Sequence, residues 1–417
     1  MAKGKSKTSS IDDIFALLVG QHNKASPNSS VLGNDMDSEI KMWVNSGSTL
    51  LNMILSNRHD GGFPCGRVVE VFGKESIGKS TLGYVAMAEA QKAGGIAIYA
   101  DIEKTGNKAF MKMLGVNLDE LVTTDIPEIE KLFTALEQNL LTIAGSEKFK
   151  NKPVMIVVDS VTALQTDSEM EGGYEFNMNV ALSKARQLGK ALRKIIPSLN
   201  KANACLYFVN QIRDNVSGYG DNYVISGGKA IPFYSSIRVY LEGKTKIVVK
   251  DPTLENEYQK ALAAWKDGGG KKMGLEKPEK PKSTKDNETV IGYEVTAFTK
   301  KNKTAPPERR TNFRIIFSQG LFDEECWLDQ CIKYGIVHAS GAYHEIVAFE
   351  NDCGKFYRTG WIELLKSSEE LYNKIKELLI EKLTIPLQLE PGKYTFADEQ
   401  VDAEEDDYTT VKITQND

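Results

Sequence analysis

The chain has 417 residues, of which 41% are hydrophobic and 26% are charged. This predicts two or three domains with a sizeable core; no apolar run approaches the roughly 18 residues of a membrane span, and the basic N-terminus lacks the apolar stretch of a secretory signal. The five cysteines, none in a Cys-x-x-Cys pair, indicate a reducing compartment and argue against a zinc site or a disulfide framework.

The net charge of −5 is unevenly distributed. Residues 398–417 carry eight acidic residues and one lysine, a net of −7, so the other 397 residues sum to +2. A mildly basic body with an acidic tail is compatible with a polyanionic partner. A solvated, disordered tail without a binding role explains the acidic run equally well.

The first predicted element is a short amphipathic helix at residues 10–19, where Ser10 and Asp13 resemble a capping box. A helix this short cannot bury its apolar stripe alone. It therefore packs either on its own domain or on a neighbouring chain, and the pattern leaves both open.

A glycine-rich loop follows a predicted buried strand at residues 68–72 and precedes a predicted helix at 81–93. It fits G-x-x-x-x-G-K-[ST], in which backbone N–H groups and the helix N-terminus bind phosphate. Lys79 is expected to reach the β- and γ-phosphates, and Ser80 to bind Mg²⁺. The residues expected to bind nucleotide here are Gly73, Lys74, Glu75, Ser76, Ile77, Gly78, Lys79, Ser80 and Thr81.

Strands and helices alternate after this loop. The predicted strands are 96–101, 153–159 and 204–211, and the predicted helices are 108–114, 128–144 and 177–201, the last interrupted or ended near Pro197. Alternation of this kind predicts a mostly parallel sheet covered by helices. Later strands at 236–242, 290–298 and 311–317 suggest an antiparallel extension.

Residues 251–287 interrupt that order. A possible helix at 254–265 leads into a glycine run and a Lys/Glu/Pro-rich stretch. This composition predicts a solvent-exposed insertion between two strands. A DNA-contacting segment is the alternative interpretation. From residue 320 the pattern changes to mixed helices, including a strongly periodic one at 368–383. This change predicts a small separate C-terminal domain.

Polar side chains follow three of the predicted strands. Asp159 ends one strand and is placed to hold Mg²⁺ beside the phosphate loop. Glu103 lies just past another strand and could activate water, with Asp101 as the rival from spacing alone. Gln211 ends a third strand and could report a γ-phosphate to the glycine-rich segment after it.

Together these motifs resemble the RecA family of bacterial and phage recombinases. The segments that show the resemblance occur in the same order as in the family. They are GKESIGKST (73–81), the strand ending in Glu103, MIVVDSVTAL (155–164), EMEGG (169–173), YFVNQIR (207–213), SGGKAIPFYSSIR (226–238) and KKNKTAPP (300–307). They span about residues 47–318, with weaker similarity at 337–343.

The resemblance implies an α/β fold built on a RecA-type phosphate-loop ATPase core with a mostly parallel sheet. It implies a short N-terminal helical oligomerisation arm at residues 1–45, which favours packing of the first helix on a neighbour. The core would cover 46–319 with the insertion 251–287, a small α+β C-terminal domain 320–396, and an acidic disordered tail 397–417.

It also implies roles for particular residues. Glu103, and not Asp101, matches the catalytic glutamate, and Gln211 matches the γ-phosphate sensor. Asn107 and Phe110 match adenine contacts. Lys301 and Lys303 match lysines that reach the ATP of the neighbouring subunit. The expected catalytic set is Glu103, Lys79, Gln211, Lys301 and Lys303, and Asp159 and Ser80 hold the metal.

Two loops, 171–179 and 214–227, match the family's DNA-binding loops. The expected DNA-binding residues are Glu171, Gly172, Gly173, Asn179, Arg213, Gly227, Gly228 and Lys229. Because these loops carry few positive charges, backbone amides and flanking cations would make most of the contacts with DNA. We expect such binding to show no sequence preference and to weaken as the salt concentration rises. Proline occupies position 232, where members of the family usually carry a basic residue near the subunit interface and the second loop.

The expected function is an ATP- and Mg²⁺-dependent recombinase that forms filaments on single-stranded DNA and exchanges strands with double-stranded DNA. Its partners would be DNA, further copies of itself, a single-strand-binding protein and loading mediators, in the cytoplasm of a bacterial cell, with a phage origin favoured weakly. A RecA-fold motor or branch-processing paralogue, and a filament protein that only senses ATP, remain alternatives from other classes.

Overall fold

The structure is a computed structural model. It describes residues 39–166, 169–170, 178–214, 223–250, 252–268, 273–279, 288–317, 320–351, 353–386, 394–397 and 412–415. The chain divides into two units, Met1–Lys41 and Met42–Asp417. The predicted helix at 10–19 lies outside the described residues.

The α-helices of this unit follow apolar faces that the sequence places at helical spacing. In chain order they are α1 (Thr49–Ser56), α2 (Lys79–Lys92), α3 (Lys108–Met113), α4 (Ile129–Ala144), α5 (Met178–Lys201), α6 (Ala230–Tyr234), α7 (Pro252–Asp267), α8 (Glu324–Lys333), α9 (Trp361–Ser367) and α10 (Glu369–Leu383). The predicted helices agree with these bounds to within a few residues.

The strands alternate with the helices in the first half of the unit. They are β1 (Trp43–Val44), β2 (Phe63–Pro64), β3 (Val68–Gly73), β4 (Ile96–Asp101), β5 (Leu121–Thr124), β6 (Val154–Asp159), β7 (Ala204–Asp214), β8 (Tyr223–Ile225), β9 (Ile237–Lys250), β10 (Glu288–Asn302), β11 (Arg310–Ile316), β12 (Gly320–Phe322), β13 (Val337–Ser340), β14 (Tyr343–Ile346), β15 (Lys355–Tyr357), β16 (Tyr394–Ala397) and β17 (Lys412–Gln415).

One large sheet forms the centre. Its strand order is β12-β11-β10-β9-β3-β7-β6-β4-β5, and β8 pairs with β7. The strands from β9 to β5 pair in parallel, whereas β10, β11 and β12 continue the sheet antiparallel. The predicted parallel sheet with an antiparallel extension is confirmed.

Helices cover both faces of this sheet. Met155 and Val157 of β6 lie in one apolar cluster, together with residues of α2. Ile156 and Val158 lie in a second cluster, with residues of α4 and α5. Alternate residues of a strand point to opposite faces, so a continuous apolar strand is buried on both.

The carboxyl ends of the central strands lie side by side. Gly73 at the end of β3 pairs with Gln211 of β7, and Asp101 of β4 pairs with Asp159 of β6. Residues that end or follow these strands therefore share one edge, which is where ligands bind in open α/β sheets.

Helix α5 continues through Pro197, so the predicted interruption there was wrong. Proline removes one backbone hydrogen bond and disfavours a helix interior. The apolar face of α5 extends past it, because Leu192, Ile195 and Leu199 are all almost completely buried. Packing of that face on the sheet outweighs the local cost.

The antiparallel strands β9 and β10 are longer than predicted. They pair from Ile237 with Asn302 to Lys250 with Glu288. The predicted helix inside the insertion is confirmed as α7, where the Trp265 indole N–H donates to the Leu275 carbonyl at 3.0 Å.

A third apolar cluster lies in the C-terminal part of the unit. It joins α8, α9 and α10, including Trp327 and Trp361, and it also contains Leu50 and Met53 of α1. The separate domain at 320–396 stays a prediction, as does the disordered tail, of which 412–415 pair with 394–397.

Candidate functional site

The phosphate loop lies between β3 and α2. Gly78 has a φ of +101°, and a Cβ there would lie 2.2 Å from Ile315 Cδ1, so only glycine fits. Lys79 is buried, and its Nζ donates to the carbonyls of Gly73 (3.0 Å) and Lys74 (2.6 Å). Burial lowers the Lys79 pKa, opposed by nearby carboxylates. A desolvated cation thus lies at the mouth of an N–H-lined helix terminus.

Asp159 and Ser80 meet beside this loop. Asp159 is buried at the end of β6, and burial raises its pKa to about 6 while a hydrogen bond with Ser80 acts in the opposite direction. A hydroxyl and a carboxylate are hard oxygen donors that suit Mg²⁺. In the described part of the chain, no group of three or more His, Cys, Asp or Glu could hold a metal ion.

Glu103 lies two residues past the end of β4. Its Oε1 accepts a hydrogen bond from the Ser160 hydroxyl and another from Gln211 Nε2 at 3.2 Å. Residues that follow β4 and β6 therefore converge with Gln211 of β7 on one carboxylate. Gln211 was predicted to end its strand, but β7 continues to Asp214; Gln211 reaches the same edge because it pairs with Gly73, the last residue of β3.

Asp101, the rival for the same role, has a different environment. Its carboxylate accepts the backbone N–H groups of Thr105 and Gly106, each at 3.1 Å. These bonds fix the turn that leads from β4 toward α3. Asp101 thus stabilises backbone, whereas Glu103 contacts the predicted sensor.

A cavity of about 360 Å³ extends from the phosphate loop. Its lining includes the predicted adenine contact Phe110 and three apolar residues of the antiparallel extension: Tyr293, Ile315 and Phe317. The other predicted adenine contact, Asn107, is not among the lining residues; it caps α3, and its Oδ1 accepts the Phe110 N–H at 3.0 Å. The volume lies within the range of small-molecule sites.

Lys301 and Lys303 do not line this cavity. Lys301 Nζ donates to the carbonyls of Pro232 (2.8 Å) and Phe233 (3.1 Å) at the end of α6. Lys303 is exposed, and its backbone N–H donates to the Ser236 carbonyl. The structure therefore places both lysines apart from the site on their own chain.

Part of the predicted DNA-binding set is described. Arg213 and Lys229 are exposed, at the two sides of the second loop. Gly227 and Gly228 have positive φ values, and a Cβ at Gly228 would lie 3.0 Å from Ala185 of α5. Glu171, Gly172 and Gly173 lie outside the described residues, and Asn179 is described only as part of the α5 backbone.

Four contributors to the site were not predicted: Ser160, Tyr293, Ile315 and Phe317. Ser160 directly follows Asp159, so the rule that strand ends converge could have identified it. The other three lie more than 200 residues from the phosphate loop. Sequence spacing carries no signal for that approach.

The fold and the site define a phosphate-loop nucleotide-binding protein of the open α/β class. Residues 16–264 match the family profile of the RecA N-terminal domain. The chain is 33% identical over 343 residues to Protein RecA of Borrelia duttonii, covering 81% of this chain and 80% of that one. It is 31% identical over 360 residues to Protein RecA of Chloroherpeton thalassium, covering 86% and 85%. The chain belongs to the RecA family of recombinases.

Within the described residues, no helix combines the length and apolarity needed to span a bilayer.

Proposed function

We propose that this protein is a DNA-dependent ATPase that forms helical filaments on single-stranded DNA and exchanges strands with homologous duplex DNA. The observation that carries the proposal is the contact of Gln211 with Glu103. It joins the candidate hydrolytic group to the strand that runs directly into the second predicted DNA-binding loop. Family membership supplies the rest of the support.

The hydrolytic chemistry follows from the side chains at the strand ends. Lys79 supplies a partly desolvated positive charge for the β- and γ-phosphates, where charge interactions are stronger than in water. Glu103 orients and deprotonates the attacking water. Ser80 and Asp159 would hold Mg²⁺, which supplies charge neutralisation on the phosphates.

Gln211 couples this chemistry to DNA. A γ-phosphate offers acceptors that compete for the Gln211 amide now donated to Glu103. Because β7 continues from Gln211 to Asp214 without a break, a shift of Gln211 passes into the loop. Asn210, its neighbour, donates to the Ser226 carbonyl at 3.0 Å, so the far side of the loop is tied to the same strand.

A second subunit completes the site. Lys301 and Lys303 supply positive charge to the ATP of a neighbouring copy, in the manner of an arginine finger. Hydrolysis then requires assembly, and assembly on DNA links the ATPase to the filament. Single- and double-stranded DNA and further copies of the chain are the partners of this function, with a single-strand-binding protein and loading mediators as accessory ones.

The first test is ATP hydrolysis by the wild-type protein with and without a single-stranded poly-dT oligonucleotide. We expect DNA to raise the rate severalfold and negative-stain images to show helical filaments. A rate of ATP hydrolysis that does not change when DNA is added would contradict the proposal. Rings in place of filaments would favour a RecA-fold motor.

Glu103→Gln tests the assignment of the base. We expect turnover to fall by a factor of roughly 10² to 10⁴, while ATP-dependent DNA binding persists. Glu377→Gln, an exposed carboxylate on α10, is the matched control and should keep the wild-type rate. Turnover of E103Q at the wild-type rate would show that another group acts as the base.

A further inference from the structure

We propose that Tyr293 makes the base end of the cavity selective for purine over pyrimidine nucleotides. Its side chain lines the cavity next to Phe317, and none of the motifs that identify the site contains it. The inference rests on the proposed function, because it specifies which nucleotides the same site accepts.

One wall of the cavity is a rigid part of the antiparallel extension. Tyr293 of β10 lies directly opposite Ile315 of β11 in the sheet register. Its ring meets the ring of Phe317 edge-on, with the centroids 5.6 Å apart and the planes at 67°. The Phe317 N–H also donates to the Ile291 carbonyl at 2.8 Å. The backbone of this wall is therefore held by sheet hydrogen bonds.

Phe110 is a third aromatic residue that lines the cavity. Its backbone N–H is bonded to the capping side chain of Asn107. Its ring packs edge-on against Tyr84, with the centroids 6.4 Å apart. A planar base in this cavity therefore has aromatic surface available from Phe110 as well as from Tyr293 and Phe317.

The chemistry of these walls favours ring area over edge recognition. Among the described residues that line the cavity, Lys79 is the one charged side chain, and it belongs to the phosphate end. Aromatic faces stack on any base, and the gain grows with the stacked surface. A two-ring purine covers more of this aromatic surface than a one-ring pyrimidine does.

Tyr293 contributes by holding Phe317. Phe317 is 40% exposed, so surrounding side chains hold its ring only in part. The edge-on contact with Tyr293 is a favoured aromatic geometry and orients the Phe317 ring toward the cavity. Loss of the Tyr293 ring removes one aromatic surface and releases the second.

The test compares ATP with CTP as substrates in the presence of single-stranded DNA. For Tyr293→Leu we expect the KM for ATP to rise roughly tenfold, with kcat at saturation changing less than KM and the KM for CTP rising less than threefold. Tyr293→Phe, which keeps the ring, should restore the KM for ATP. Tyr343→Leu, an exposed tyrosine on β14, is the matched control.

Three results would overturn the inference. They are an unchanged KM for ATP in Y293L, equal losses for ATP and CTP, and a wild-type protein that binds CTP as tightly as ATP in calorimetric titration. The last measurement needs no variant, so a misfolded Y293L leaves the inference testable. A wild-type protein that hydrolyses neither nucleotide would refute the proposed function instead.

Discussion

Asp323 is a buried carboxylate whose ionisation should be visible in the stability of the protein. Asp323 is 3% exposed. Its carboxylate accepts hydrogen bonds from the Ser48 hydroxyl (2.5 Å), the Leu50 N–H (2.8 Å) and the Trp327 indole N–H (3.1 Å). Burial raises its pKa from 3.8 to about 6, although these donors favour the charged form.

The sign of the effect on stability follows from this shift. Between pH 3.8 and about 6 the folded state binds the Asp323 proton more tightly than the unfolded state does. The resulting stabilisation is fully present below pH 3.8 and is lost as the pH rises through 6. A shift of roughly two pKa units corresponds to about 3 kcal/mol in the free energy of unfolding.

Asp323→Asn removes the ionisation. The side-chain amide of asparagine would point an N–H at one of the three groups that donate to Asp323. This mismatch lowers the free energy of unfolding by about 1–3 kcal/mol. Because the loss is the same at every pH, it does not change the pH dependence. From pH 4 to 7, we expect wild-type protein to lose about 3 kcal/mol more of its unfolding free energy than D323N does. Urea unfolding followed by tryptophan fluorescence measures the difference, since Trp327 and Trp361 are buried in this region.

Asp329→Asn, on the same helix α8, is the matched control. The Asp329 side chain is 55% exposed beside Arg358, so this variant should keep the wild-type pH dependence. Parallel stability curves for wild type and D323N between pH 4 and 7 would refute the reasoning.

Three further predictions concern the phosphate loop, a buried ion pair and DNA binding. Gly78→Ala should weaken ATP binding measured by calorimetry, because a φ of +101° is strained for a residue with a Cβ and the backbone of the phosphate loop would have to shift. Arg238→Met should destabilise the fold by about 3–5 kcal/mol in urea, because it removes the charged partner of the buried Glu70, which keeps the Asn210 amide as a neutral donor; adding Glu70→Gln should recover part of the loss, and full additivity would contradict this. Arg213→Ala should weaken binding of labelled poly-dT and flatten its salt dependence in anisotropy assays; an unchanged salt slope would exclude a phosphate contact.

Much of the fold could be predicted because its signals are local. Apolar runs and helical periodicity mark the elements, and parallel pairing brings strand ends to one edge. The approach of Glu103 to Gln211 follows from the parallel pairing of their strands, although β7 continues to Asp214, past the predicted strand end at Gln211.

The parts that could not be predicted depend on distant register. Tyr293 approaches Gly78 only through the pairing of β10 and β11, and Asp323 reaches Ser48 across 275 residues. Local patterns carry no information on such pairings. At Pro197 a local rule gave the wrong answer, because packing of the apolar face of α5 outweighed one lost hydrogen bond.

The central claim is that each chain carries half of a hydrolytic site and a neighbour supplies the rest. Mixing two inactive variants, Lys79→Ala and Lys301→Ala, tests it most directly. At equal amounts, random assembly joins an intact phosphate loop to an intact Lys301 at about a quarter of the interfaces, so we predict DNA-dependent ATP hydrolysis at roughly a quarter of the wild-type rate. A mixture as inactive as either variant alone, or a wild-type rate for K301A alone, would contradict the account.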